Sequence, residues 1–106
     1  MHDLLIENAL IVDGTGSEPV HGNIAVSDGV ITHITEGKSG GEKAHKHIDA
    51  DGLVVAPGFV DPHTHYDAQL AWDPLLTSSP WHGVTTVVQG NCGVGVAPLP
   101  PEMREI

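Results

Sequence analysis

Positive charge is the scarcest feature of this sequence. Its 106 residues carry four Lys and Arg against fourteen Asp and Glu, for a formal net charge of −10. Between His47 and Met103 there is no Lys or Arg, although Asp49, Asp51, Asp61, Asp67, Asp73 and Glu102 lie there. Such a field repels nucleic acid and anionic membranes, so neither is expected as a partner. A carboxylate-rich stretch without cations fits metal binding, pairing with basic groups from outside this chain, or simply a solvated acidic surface.

Cysteine is equally sparse. Cys92 stands alone, which excludes an internal disulfide. No apolar run approaches the roughly 20 residues of a membrane span, and the opening MHDLLIEN has no basic segment of the kind that begins a secretory signal. The expected setting is reducing and cytoplasmic. Only Phe59, Tyr66, Trp72 and Trp81 are aromatic, so any core must be built from Val, Ile, Leu and Ala. Hydrophobic residues still make up 40% and charged ones only 17%, unlike a disordered chain. Thirteen Gly and eight Pro imply many turns and little long helix.

The first half alternates and turns. Leu4 to Ile6 and Ala9 to Val12 are short strand candidates, broken after by Gly14-Thr15-Gly16. Asn23 to Ser27 and Val30 to Thr35 flank Asp28-Gly29, the strongest short-range hairpin signal. Glu36 to Lys46 reads as an exposed loop. Lys46 to Asp49 and Leu53 to Ala56 suggest a second hairpin around Asp51-Gly52. Residues 1–56 are therefore expected to form a small antiparallel β-structure.

The pattern changes at Pro57-Gly58, where residues 57–106 take β-α-β spacing. Phe59 to Asp61 continues a strand. Asp73-Pro74 and Ser79-Pro80 each read as a helix N-cap and first position, and Gly83 can close a short helix. Val84 to Val88 is an unbroken β-branched run suited to a strand covered on both faces. Val96 to Pro101 reads as loop.

An apolar run ends in Asp61-Pro62-His63-Thr64-His65. In a strand, residues i and i+2 point to one side, so His63 and His65 project together and can share a metal ion. Asp61 has the same parity, and Asp67 follows if the strand persists. A carboxylate beside a ligating histidine can hold its second N–H, a role to test first for Asp61. Of the other histidines, His2, His21, His33 and His82 lack this context. His45 and His47 repeat the spacing in a Gly/Lys loop with no apolar run leading into it.

Cys92 follows the VTTVV run between Gly90 and Gly93. A β-α unit of about 30 residues joins parallel neighbours, and the distance from His65 to Cys92 fits one. The strand ends would then meet at the edge where α/β folds place ligands. Thiolate with imidazole favours zinc over magnesium or calcium. The alternative is that Cys92 is a small buried hydrophobe.

PGFVDPHTH, residues 57–65, resembles the first barrel strand of the metal-dependent amidohydrolase superfamily. HGVTTVVQGNCGVGVAPL, residues 82–99, resembles the N-acyl-D-amino-acid deacylases, or D-aminoacylases. The resemblance implies a β-sandwich segment over 1–56 and the first two β/α units of a (β/α)8 barrel over 57–106, mainly β taken alone. It implies His63, His65 and Cys92 as ligands of one or two Zn2+ ions; Asp61, Asp67 and Asn91, their neighbours in the sequence, are candidate outer supports. It also implies hydrolysis of the amide of a small N-acyl-D-amino acid to a carboxylate and a free D-amino acid, by metal-assisted water attack. The catalytic aspartate, the remaining ligands and the groups gripping the substrate carboxylate are expected beyond Ile106, in the remainder of a parent polypeptide. The 106 residues alone are then expected to be inactive. Two alternatives stay open: a hydantoinase- or dihydropyrimidinase-like cyclic amidase, and a non-enzymatic acidic β-domain.

Overall fold

β1 (His2–Ile11) is the strand on which the first half is built. A computed structural model describes residues 1–38, 40–93, 95 and 100–103. It divides into two compact units, Met1–Pro57 and Gly58–Ile106. In the first unit, β2 (Val20–Ser27) pairs antiparallel with β1, and β3 (Val30–Glu36) antiparallel with β2. The β2–β3 hairpin turns at Asp28-Gly29 as the sequence signals. Both residues have positive φ, 52° and 73°, the backbone that a two-residue turn between right-twisted strands requires.

The other edge of β1 departs from expectation. β4 (Ala44–Asp49) and β5 (Val54–Val55) do not form a hairpin with each other; both lie parallel to β1, one after the other. The sheet is therefore mixed rather than purely antiparallel, in the order β3-β2-β1-β4, with β5 also on β1. The turn at Asp51-Gly52 is closed by the Leu53 N–H on the Ala50 carbonyl, and it jogs the chain along β1 instead of reversing it. Ala50 explains the jog. Its N–H donates to the Glu7 carbonyl, and its side chain is buried with Ala9, Ile11 and Ile24.

That core needs a bulge. Ile6 pairs with Ile24 and Ala9 with Gly22, so β1 spends one residue more than β2 on the same step. The extra residue falls at Asn8, whose φ is 60°. Strict alternation would put Ile6 opposite in face to Ala9 and Ile11; one inserted residue returns all three to one face. Leu4 to Ile6 and Ala9 to Val12, read as separate runs, are thus one strand with a kink.

The second unit opens with β6 (Phe59–Thr64), followed by two single-turn helices, α1 (Tyr66–Gln69) and α2 (Ser78–Trp81), and then β7 (Val84–Gln89). β6 and β7 are parallel neighbours, the expected β-α-β arrangement, and no barrel is closed among the described residues. The helix starts differ from the sequence reading. Asp73 caps no helix at Pro74; its carboxylate accepts from the Thr77 backbone N–H at 3.0 Å and the Gln69 side chain at 3.3 Å. Thr77 is the N-cap of α2, and Pro80 lies inside the first turn, where its missing N–H costs nothing. Gly83 does close α2, its N–H reaching the Pro80 carbonyl. The Tyr66 hydroxyl meets that of Ser79 and so ties α1 to α2. Of the expected loop at 96–101, residues 96–99 lie outside the described residues, and Pro101–Met103 form a 3-10 turn.

Candidate metal centre

β6 ends at Thr64, so His63 is the last residue but one of the strand and His65 leads into α1 as its N-cap. Their rings stay together, with centroids 5.5 Å apart and planes tilted by 39°. Across the sheet, β7 ends at Gln89 and the chain turns tightly through Gly90–Gly93, closed by the Gly93 N–H on the Gly90 carbonyl. Gly90 and Gly93 have φ of 75° and 77°, which a side chain would strain. This turn presents Cys92 beside the histidine pair. One ligand atom each from His63, His65 and Cys92 lie within 4.8 Å of one another, and all three residues are exposed. Within this chain Cys92 is free and exposed.

The donor set fits zinc. Zn–N bonds of about 2.0–2.1 Å and Zn–S bonds of about 2.3 Å put neighbouring tetrahedral ligands between three and four ångströms apart. Groups already within 4.8 Å need only small side-chain rotations to reach that spacing.

The flanking acids behave less uniformly. Asp61 accepts the backbone N–H of His63 at 3.1 Å, so in this structure it fixes the strand beneath the histidine rather than the imidazole itself. Asp67 is half-buried in α1, and its Oδ2 is the buried side-chain atom left without a hydrogen-bond partner among the described residues. The Asn91 amide donates to the Pro62 carbonyl at 3.0 Å, tying the cysteine turn to the histidine strand.

Sequence reasoning missed Thr64. It is buried at 7% exposure between two exposed histidines, and its hydroxyl donates to the Val88 carbonyl at 2.9 Å. The signal was the same period of two that paired the histidines: it turns the residue between them toward the opposite face. His45 and His47 lie in the first unit, where the His47 Nδ1 is 2.8 Å from the Glu7 carboxylate.

A parallel β-α-β unit that brings two imidazoles and a thiol to one strand edge has the form of a metal-dependent hydrolase. Residues 46–104 match the Amidohydrolase family, and the chain belongs to it. It is 42% identical over 101 residues to the N-acyl-D-aspartate deacylase of Alcaligenes xylosoxydans xylosoxydans, covering 92% of this chain and 19% of that one. It is 41% identical over 97 residues to the D-aminoacylase of the same organism, covering 92% and 20%. Among solved structures it resembles the N-acyl-D-glutamate deacylase of Bordetella bronchiseptica, complexed with zinc and a phosphonate that mimics the tetrahedral intermediate. The TM-score is 0.84 at 42% identity, over 93% of this chain and 20% of that one. The chain spans about one fifth of the length of these relatives.

Proposed function

We propose that this chain supplies the amino-terminal part of a zinc-dependent hydrolase that cleaves the amide of N-acyl-D-amino acids to a carboxylate and a free D-amino acid. In this reading residues 1–56 belong to a β-sandwich and residues 57–106 begin a (β/α)8 barrel. The observation that carries it is the convergence of His63, His65 and Cys92 to within 4.8 Å. When bound, zinc supplies Lewis acidity toward an amide carbonyl and makes water nucleophilic near neutral pH.

The chain's own residues hold that chemistry in place. His63 and His65 ligate as neutral imidazoles and Cys92 as a thiolate, so occupancy falls as these groups are protonated. A ligand thiol also suits a reducing compartment such as the cytoplasm. The cations that read the substrate carboxylate belong to the rest of the polypeptide in this reading, since residues 47–103 hold no Lys or Arg, and the resemblance places the proton-moving aspartate there too.

The test is to purify the full-length protein, measure bound metal, and assay N-acetyl-D- and N-acetyl-L-amino acids beside a dihydropyrimidine. Release of amino acid from the D-series alone is expected. Ring opening of the dihydropyrimidine without D-amino-acid release would replace the deacylase reading by the cyclic amidase.

A further inference from the structure

The seam between β6 and β7 is irregular where the ligands sit. The register of the two strands slips between Asp61 and Thr64, and Pro62, inside that slip, has no N–H to give to a ladder. The backbone ladder is therefore interrupted between its Asp61–Val87 and Thr64–Gln89 pairs, the stretch that carries His63. Two side-chain hydrogen bonds cross the seam there instead, in opposite directions. The Thr64 hydroxyl, from β6, donates to the Val88 carbonyl at 2.9 Å. The Asn91 amide, from the turn after β7, donates to the Pro62 carbonyl at 3.0 Å. Thr64 stands between the two histidines, Pro62 immediately before the first, and Asn91 immediately before Cys92.

We propose that Thr64 and Asn91 are positioning residues for the metal centre: together they set the distance from Cys92 to His63 and His65. The inference rests on the zinc reading above. Neither residue needs to touch the ion. Each acts through the backbone next to a ligand, as outer partners of metal sites do, and their loss typically weakens binding about 10- to 100-fold.

The experiment uses the full-length protein stripped of metal and titrated with Co2+, whose charge-transfer band reports thiolate ligation and whose ligand-field bands report the coordination geometry as a whole. Thr64→Val keeps the shape and removes the hydroxyl. It should weaken Co2+ binding roughly 10- to 100-fold and reduce the sulfur-to-cobalt charge-transfer band more than the ligand-field bands. Thr64→Ser, which restores the hydroxyl, should recover both. Wild-type affinity and band in Thr64→Val, or equal damage in Thr64→Ser, overturns the inference while leaving the metal centre standing. A wild-type protein with no sulfur-to-cobalt band removes the metal centre itself, and the inference with it. If Thr64→Val does not fold, Asn91→Ala, at an exposed position, is read by the same two signals, and an unchanged spectrum and affinity there overturns the inference.

Discussion

Asn23 holds its side-chain oxygen 3.0 Å from the backbone N–H of Asn8, the residue at which β1 bulges. A bulge leaves a backbone donor without a ladder partner, and here a buried side chain from β2 supplies the acceptor. The same amide donates to the Thr35 hydroxyl at 3.3 Å and the Gly37 carbonyl at 3.1 Å, so Asn23, 3% exposed, is satisfied on both ends. Asn23→Ala should cost about 1–3 kcal/mol by orphaning these partners. Asn23→Asp should cost more, because it aims a carboxylate oxygen at the Gly37 carbonyl. Equal melting temperatures for the two variants would refute this account.

The bulge also has a pH signature. The Asn8 side chain donates to Asp49 Oδ1 at 2.9 Å, and the Asp51 N–H to the same oxygen at 3.2 Å. These bonds, the Asn8 one foremost, hold the Asp49 carboxyl below its ordinary value. With a folded pKa lower than the unfolded one, their contribution is present above the ordinary aspartate range and is lost as pH falls through the depressed value. Asn8→Gly, which tolerates the positive φ, should raise the Asp49 carboxyl pKa in an NMR titration; no movement would disconnect the two residues.

Cys92→Ala in the full-length protein removes a proposed ligand rather than an outer support. Zinc affinity should fall by more than the roughly 10- to 100-fold typical of outer partners. Metal content that survives this change under competing chelator would withdraw the deacylase assignment, because a cysteine ligand is the feature expected to be missing from the cyclic amidases.

Gly58 leads into β6 where a side chain would collide with Thr85 of β7. Gly58→Ala should destabilise by about 1–3 kcal/mol through overpacking. Adding Thr85→Ala should recover part of that loss, and strictly additive single and double mutants would show that the two positions do not meet.

What could be read in advance was local chemistry. Asp28-Gly29 announced its hairpin because both residues tolerate positive φ. The approach of His63, His65 and Cys92 to one another was legible because they stand at the ends of two strands joined by one crossover, although His65 lies just past its strand and caps α1. The same Asp-Gly signal at Asp51-Gly52 misled, since a turn specifies a local bend and not the strand that the chain meets next. That choice was made by Ala50, small and apolar, entering a core shared with Ala9, Ile11 and Ile24. The Asn8 bulge was hidden for a similar reason: its cause is Asn23, fifteen residues away. The helix starts at Asp73 and Ser79 were misplaced because a carboxylate and a proline serve a turn as well as they serve a cap.

The central place of β1 sets an order on biosynthesis. As the chain leaves a ribosome, β1, β2 and β3 can zip together as soon as Glu36 has cleared the exit. The opposite flank of β1 then stays bare until residues 44–55 follow, on the order of seconds at usual elongation rates. During that interval an unpaired strand edge is open to any neighbouring nascent chain, and the pace of translation through the Gly/Lys loop governs how long it stays open.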